Sequence, residues 1–192
     1  MEALLVSTGV IAIAEIGDKT QLLAIILAAR YRKPAPIIFG ILVATLANHG
    51  LAACAGALAA QWIGPDILRW ILGLGFVAMA GWCLIPDKAE EGPKVASRAG
   101  AFLATLVAFF LVEIGDKTQI ATIALAARFH DLVLVTAGTT LGMMIANVPA
   151  VLCGEGIARR LPLRLIRAVA AAGFAVLGVL TLLRWDFGLL GT

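Results

Sequence analysis

The heptapeptide EIGDKTQ occupies residues 15–21 and recurs unchanged at residues 113–119. Each copy carries two acids and a lysine, and each lies near the middle of a long apolar run. An ionised side chain at the centre of a bilayer costs roughly 2.5–3.5 kcal/mol. Charges placed there must pair, take up protons or bind an ion, so the two motifs are the first candidates for a functional site.

The apolar runs around the motifs predict an all-α integral membrane protein. The 192 residues are 61% hydrophobic and 14% charged, with a mean hydropathy of +1.00, whereas soluble domains are nearer half apolar and a quarter charged. Because about 20 apolar residues span a bilayer as a helix, we expect six transmembrane helices. The last is short unless it begins before Arg167. The six runs lie near 3–29, 37–63, 67–85, 99–127, 132–152 and 168–183.

The two halves of the sequence are related. The motifs start at 15 and 113, 98 residues apart, and EIGDKTQLLAIILAAR agrees with EIGDKTQIATIALAAR at 12 of 16 positions. Each half holds three predicted spans, and because three is odd the second half enters the membrane from the opposite side. We therefore predict an inverted-topology repeat, whose site lies at the repeat interface near the midplane. The first three-helix unit is 1–86, a cytoplasmic linker is 87–98, and the second unit is 99–192.

The distribution of basic residues predicts an orientation in the cell (inner or plasma) membrane. Outside the motifs, ten lysines and arginines lie on the side that holds the loops after spans one, three and five, and three lie on the other side. The positive-inside rule then places these loops in the cytoplasm and both termini outside. No soluble basic face is predicted, so nucleic acid is not an expected partner. Six helices are few for a deep aqueous cavity, which leaves a homodimer as an open expectation.

Spacing within the motifs suggests a shared acidic site. Glu15 and Asp18, at i and i+3, would be neighbours on one helix face, as would Glu113 and Asp116. An inverted repeat brings these faces together, so four carboxylates can converge on one cavity. A lysine at i+4 from each glutamate could form an ion pair within its motif and leave about −2 in total, which suits a divalent cation.

Neighbouring residues are expected to support this site. The threonines and glutamines offer neutral oxygens, and the glycines allow close backbone approach or let the helix open. The asparagines either line the cavity or form interhelical hydrogen bonds. The supporting residues are Gly17, Lys19, Thr20, Gln21, Gly115, Lys117, Thr118, Gln119, Asn48 and Asn147.

The donor chemistry favours hard divalent cations and proton coupling. Neither motif contains Cys, Met or His, and all-oxygen sites suit Mg²⁺, Ca²⁺ or Mn²⁺ rather than Cu⁺ or thiolate-bound Zn²⁺. Carboxyl groups crowded away from water favour their protonated form when no metal is present. Metal and protons should therefore displace one another, which is the basis of cation/proton exchange. No prosthetic group is expected.

A twice-occurring E-x-G-D-[KR]-[ST] in a six-span protein resembles the Gdt family of divalent cation/proton exchangers, formerly an uncharacterised protein family. Within it, the chain is most similar to the MneA-type bacterial manganese exporters. The resemblance covers essentially the whole chain and implies Mn²⁺ export in exchange for protons, with Ca²⁺ as a second substrate in some members. The metal ligands that it implies are Glu15, Asp18, Glu113 and Asp116. It leaves open which acid binds metal and which carries protons.

Several other readings stay open. The chain could be a Ca²⁺/H⁺ exchanger with little preference for Mn²⁺, or an exporter of small organic solutes. The acids could also form a polar clamp between helices. A membrane-embedded hydrolase would want an H-E-x-x-H or G-x-S-x-G pattern, which the sequence lacks, so a transporter and not an enzyme is expected. His49, beside Asn48, could relay protons or simply pack.

Overall fold

The computed structural model describes residues 1–85, 100–153 and 162–183, and all regular structure within these ranges is helical. Four of the helices, α3, α4, α7 and α8 as bounded below, are long and apolar enough to cross a membrane. These findings support the predicted all-α membrane class. The helices are α1 (Glu2–Glu15), α2 (Lys19–Tyr31), α3 (Pro34–Trp62), α4 (Pro65–Cys83), α5 (Ala101–Glu113), α6 (Lys117–Phe129), α7 (Leu132–Cys153) and α8 (Leu163–Leu182).

Some of the sequence predictions concern residues for which no structure is described. The predicted cytoplasmic linker, 87–98, lies outside the described residues. So do several of the basic residues that set the predicted orientation, namely Lys88, Lys94, Arg98, Arg159 and Arg160.

The two predicted spans that carry the motifs are interrupted. Helix α1 ends and α2 begins around residues 16–18, and α5 gives way to α6 around residues 114–116. Gly17 and Gly115 have φ angles of +82° and +77°, a left-handed conformation that glycine adopts without a Cβ clash. Each of these two predicted spans is therefore a pair of shorter helices. Of the two predicted roles for the glycines, opening the helix is the one observed.

The aspartates of the motifs begin the second helix of each pair. Asp18 is the N-cap of α2, and its Oδ1 accepts a hydrogen bond of 2.7 Å from the backbone N–H of Lys19. Asp116 is the N-cap of α6, and its Oδ2 accepts from the N–H of Thr118 at 3.4 Å. A capping carboxylate satisfies free N–H groups and interacts favourably with the positive end of the helix dipole. The Glu-Ile-Gly-Asp stretch of each motif thus ends one helix and begins the next.

The helices of one half pack against the helices of the other, and each of the following pairings has a counterpart in which the two halves change places. Helix α3 packs on α5 and α6, α7 packs on α1 and α2, and α4 packs on α8. A Cβ added to Gly40 of α3 would lie 2.9 Å from the carbonyl oxygen of Phe102 in α5. A Cβ added to Gly138 of α7 would lie 2.6 Å from the carbonyl oxygen of Leu4 in α1. Gly138 is 98 positions after Gly40, and Phe102 is 98 positions after Leu4. The same contact therefore occurs twice, with the two halves exchanged.

The remaining helices agree with the predicted spans except at their starts. Helices α3 and α4 begin at Pro34 and Pro65, where a missing N–H costs no hydrogen bond. Helix α8 begins at Leu163, so the predicted start at residue 168 is too late. Phe76 of α4 stacks on Phe174 of α8 with ring centroids 6.4 Å apart, and both rings are buried.

Candidate cation site

The acids of both motifs are buried in one region of the protein. Glu15 and Glu113 are 0% exposed, Asp18 is 3% exposed and Asp116 is 4% exposed. Glu15 lies within electrostatic range of the other three. The structure therefore brings the four predicted ligands near one another, at the two breaks between helices.

Each aspartate forms an ion pair with the lysine of the other motif. Lys19 Nζ lies 3.0 Å from Asp116 Oδ1, and Lys117 Nζ lies 3.2 Å from Asp18 Oδ2. The predicted ion pair between Lys19 and Glu15 within one motif is wrong, as is the placing of Glu15 beside Asp18 on one helix face. Both errors have one cause. Glu15 ends α1 while Asp18 caps α2, so these two residues do not lie on the surface of one helix. The same is true of Glu113 and Asp116 in the second motif.

The two glutamates have no lysine or arginine partner among the described residues. Glu15 Oε1 accepts a hydrogen bond of 3.3 Å from Asn147 Nδ2, and its Oε2 has no hydrogen-bond partner in the same set. Glu113 Oε2 accepts from Thr118 Oγ1 at 2.8 Å and lies 3.9 Å from His49 Nε2, while its Oε1 has no such partner. Buried acceptors in native proteins are nearly always satisfied, so these oxygens are the best candidates for cation ligands.

The glutamines of the motifs support the backbone at the breaks. Gln21 Oε1 accepts from the N–H of Gly17 at 2.9 Å, and Gln119 Oε1 accepts from the N–H of Gly115 at 2.7 Å. This resembles a capping box, in which the side chain at the third helical position returns to the start of the helix. Gln21 Nε2 also donates to the carbonyl oxygen of Ala146 in α7 at 3.1 Å. The glutamine oxygens predicted to face a cation are thus used by the backbone in this conformation.

The two asparagines take different roles. Asn147 donates to Glu15 and so lines the site. Asn48 donates to the carbonyl oxygen of Phe110 at 3.2 Å, and its Oδ1 accepts from Gln119 Nε2. Both asparagines therefore make interhelical hydrogen bonds, and the partner of Asn147 is one of the candidate cation ligands.

The threonines show the same asymmetry. Thr118 Oγ1 lies within hydrogen-bond distance of both Glu113 Oε2 and Asp116 Oδ2, at 2.8 and 3.3 Å. Thr20 is also fully buried, but its Oγ1 has no hydrogen-bond partner among the described residues. The two halves therefore share their ion pairs and their breaks, and differ in the hydrogen bonds around the glutamates.

In this conformation the ligands are not assembled into a metal cage. Among the described residues, no three Asp, Glu, His or Cys side chains come close enough to hold a metal ion together. A cavity beside Gly17 and Lys117 has a volume of about 10 Å³, which is about the space of one water molecule. A groove of about 500 Å³ between α1 and α8 is lined only by apolar residues and glycine, so it offers no side-chain cation ligand.

The cross-motif ion pairs and the position of His49 are the features that sequence reasoning missed. The repeat in the sequence suggests that the two lysine–aspartate pairs are equivalent, but it leaves open whether each lysine pairs within its own motif or with the other motif. Nothing in the sequence showed that His49 faces Glu113, because the rotation of α3 depends on how it packs.

Comparison with known proteins decides the family. The chain matches the family described as "Divalent cation/proton antiporter GDT1" over residues 3–91 and 101–187. The chain belongs to this family. Each matched segment contains one EIGDKTQ motif, and the resemblance inferred from the doubled motif is confirmed.

Relatives of this chain occur in both bacteria and plants. A Vibrio cholerae protein named "Putative manganese exporter" is 53% identical over 94% of this chain and 90% of its own length. An Arabidopsis thaliana "GDT1-like protein 3" is 28% identical over 91% of this chain and 69% of its own length. The rice protein of the same name is 27% identical over 91% and 72%. No solved structure matches this chain.

Proposed function

We propose that this GDT1-family protein exports Mn²⁺ from the cytoplasm in exchange for protons, through a site between its two EIGDKTQ motifs. The family consists of divalent cation/proton antiporters, and the name of the Vibrio relative supports manganese as the cation. The observation that carries the proposal is the pair of buried glutamates, Glu15 and Glu113. They lie beside aspartates that already have lysine partners.

The charges of the site suit a divalent cation. Four carboxylates and two ammonium groups leave a net charge of about −2 when all are ionised. Since each lysine contacts an aspartate, the two glutamates are the groups left to be neutralised. Either two protons or one divalent cation can do this, and buried charge must be neutralised in one of these ways. Exclusive occupancy by protons or by metal is the condition for coupled exchange.

We propose that Glu15 and Glu113 bind the cation first. Asp18 and Asp116 become ligands as the lysines move away from them. The side chain of Asn147 supplies a neutral oxygen ligand. Manganese accepts such carboxylate and carbonyl ligands. Because the described side chains do not form a cage in this conformation, cation entry has to draw the two motifs together. The helix breaks allow this movement without unwinding the longer helices.

We also propose the predicted six-crossing, inverted arrangement. Neither α1 nor α2 alone, with 14 and 13 residues, reaches the ~20 residues needed to span a bilayer. Together they can cross it as one discontinuous span with its break near the midplane, and α5 with α6 can do the same. Discontinuous helices of this kind form the sites of many secondary transporters. The exchanged contacts of Gly40 and Gly138 support a two-fold relation between the halves.

The orientation predicted from the basic residues can be tested with a terminal tag. With both termini outside, a protease-cleavable tag before Met1 is expected to be cut when protease is added to spheroplasts, and to be protected in inside-out membrane vesicles. The measurement is the fraction of tag cleaved in each preparation. The reverse pattern would contradict the proposed orientation.

The exchange itself can be measured in proteoliposomes loaded with acidic buffer. Mn²⁺ is expected to accumulate inside as protons leave, and each pH unit of gradient can support about tenfold accumulation per proton exchanged, since one unit corresponds to about 1.4 kcal/mol. Nigericin, which dissipates the pH difference, should abolish the accumulation. A pH-sensitive dye inside the vesicles should report alkalinisation that depends on Mn²⁺.

The same assay separates the alternatives. If Ca²⁺ accumulates as well as Mn²⁺, the protein is a general divalent cation/proton exchanger. If Mn²⁺ accumulates but is indifferent to the pH gradient, proton coupling is wrong. If neither ion moves in reconstituted, folded protein, the proposed function is wrong and export of an organic solute becomes the better reading.

A further inference from the structure

His49 lies beside one of the acids and has no role in the exchange described above. It lies in α3, is 0% exposed, and has its Nε2 3.9 Å from Glu113 Oε2. Neither ring nitrogen has a hydrogen-bond partner among the described residues. An unsatisfied buried polar group typically costs about 1–3 kcal/mol. An apolar residue would avoid that cost, so a packing role alone does not explain an imidazole here.

The corresponding residue in the second half is also polar and contacts the glutamate of the other motif. At the 98-residue offset that relates Gly40 to Gly138 in the same two helices, His49 corresponds to Asn147. The neighbourhood of Glu15 therefore has an asparagine amide where Glu113 has an imidazole nitrogen nearby. The imidazole adds a nitrogen donor to an otherwise all-oxygen site, and it does so in one half only.

We propose that His49 Nε2 is a ligand of the transported cation, together with Glu113, and that this nitrogen makes the site prefer Mn²⁺ to Ca²⁺. The proposal rests on the proposed function. Calcium takes oxygen ligands, whereas imidazole binds divalent transition-metal ions, of which Mn²⁺ is the weakest in the Irving–Williams series but still a member. A nitrogen ligand thus raises the affinity for Mn²⁺ relative to Ca²⁺.

The geometry is already suitable for this role. Two ligand atoms that are each about 2.1 Å from one ion lie about 3.0–4.2 Å apart, as the angle between them opens from 90° to 180°. The 3.9 Å that separates His49 Nε2 from Glu113 Oε2 falls in this interval. The spacing of these two atoms therefore already fits two ligands of one ion, and Glu113 Oε1 is available as a further ligand.

Pulsed electron paramagnetic resonance of Mn²⁺ bound to the purified protein tests this ligand directly. The chain contains two histidines, and His130 ends α6 in an exposed αL position, where asparagine is tolerated. We expect imidazole ¹⁴N coupling to Mn²⁺ in the wild type and in His130→Asn, and its loss in His49→Gln. Labelling with ¹⁵N-histidine should replace the ¹⁴N coupling pattern by a ¹⁵N pattern without any substitution. The test therefore stands even if His49→Gln does not fold. Bound Mn²⁺ without imidazole coupling, or coupling that persists in folded His49→Gln, would overturn the proposal.

Transport selectivity provides the second measurement. In the proteoliposome assay, His49→Gln is expected to lower the ratio of Mn²⁺ to Ca²⁺ initial rates by about tenfold or more, since losing even an indirect metal contact costs about 10–100-fold in affinity. An unchanged ratio in a variant that still exchanges Mn²⁺ for protons would overturn the role of His49 and leave the exchanger intact. Absence of all divalent cation transport by the wild type would instead overturn the proposed function.

Discussion

Glu15→Gln and Glu113→Gln should each lower Mn²⁺/H⁺ exchange by about 100-fold or more. Both side chains are fully buried and lack a lysine or arginine partner among the described residues. Glutamine keeps their shape and some of their hydrogen bonds but removes the negative charge and one strong metal ligand. Because residues that merely support a metal ligand are worth about 10–100-fold in affinity, loss of a ligand should cost at least as much. The measurement is the initial rate of Mn²⁺ uptake under an imposed pH difference, at equal amounts of reconstituted protein.

A matched control for this prediction is Asp66→Asn. Asp66 lies in the first turn of α4 with a side chain that is 70% exposed, so the same loss of charge should change exchange by no more than about twofold. If the motif acids only hold helices together, the glutamine variants should remain active, because an amide can still form hydrogen bonds across the interface. Near-normal exchange by both glutamine variants would therefore replace the cation site with the polar clamp.

Lys117→Met should lower the free energy of unfolding by about 3–5 kcal/mol, the usual cost of removing one partner from a buried ion pair. The substitution takes the cross-motif cation away from Asp18, whose carboxylate is buried. Adding Asp18→Asn in the same chain should restore much of the loss, because the uncompensated charge is then gone. Lys19→Met should cost less, since the Lys19 side chain is 21% exposed compared with 6% for Lys117. Reversible unfolding in mixed micelles measures all three values.

The comparison variant for the ion pairs is Lys33→Met. Lys33 is exposed and precedes α3, so its replacement tests the loss of a lysine without the loss of a buried pair. We expect a change within about 0.5 kcal/mol. If Lys117→Met were no less stable than Lys33→Met, or if the double variant were less stable than Lys117→Met, the cross-motif pairs would not contribute as described.

The asymmetry between the halves connects these predictions with that for His49. The lysine–aspartate pairs and the glycine–glutamine contacts are the same in both motifs. The partners of the glutamates differ, because Glu15 has Asn147 and Glu113 has Thr118 and His49. We therefore expect Glu→Gln to remove exchange in either half, whereas only the half that contains Glu113 should influence the choice between Mn²⁺ and Ca²⁺.

Much of this protein could be predicted from its sequence because the relevant signals are local or periodic. Apolar runs of bilayer length predicted the helices α3, α4 and α7 to within three residues at each end, since hydrophobic length is set by membrane thickness. The identity of the two EIGDKTQ stretches predicted that the two halves are related. Because isolated buried charges are unfavourable, the acids of the two motifs were predicted to lie close together. The left-handed glycines were only half anticipated, because glycine in a helix permits a break without requiring one.

The sequence by itself determined the all-helical class, the membrane-length apolar runs, the relation between the halves and the family to which the chain belongs. Only the tertiary structure decided which charges meet. Lys19 lies four residues from Glu15 in the chain, yet it contacts Asp116 in the other half, because the break at Gly17 turns α2 away from α1 and packing brings the second motif beside it. His49 faces Glu113 for a similar reason, since the rotation of α3 follows from its contacts with α5 and α6. Composition and periodicity are properties of one segment, whereas ion pairs and ligand sets depend on the relative positions of several segments.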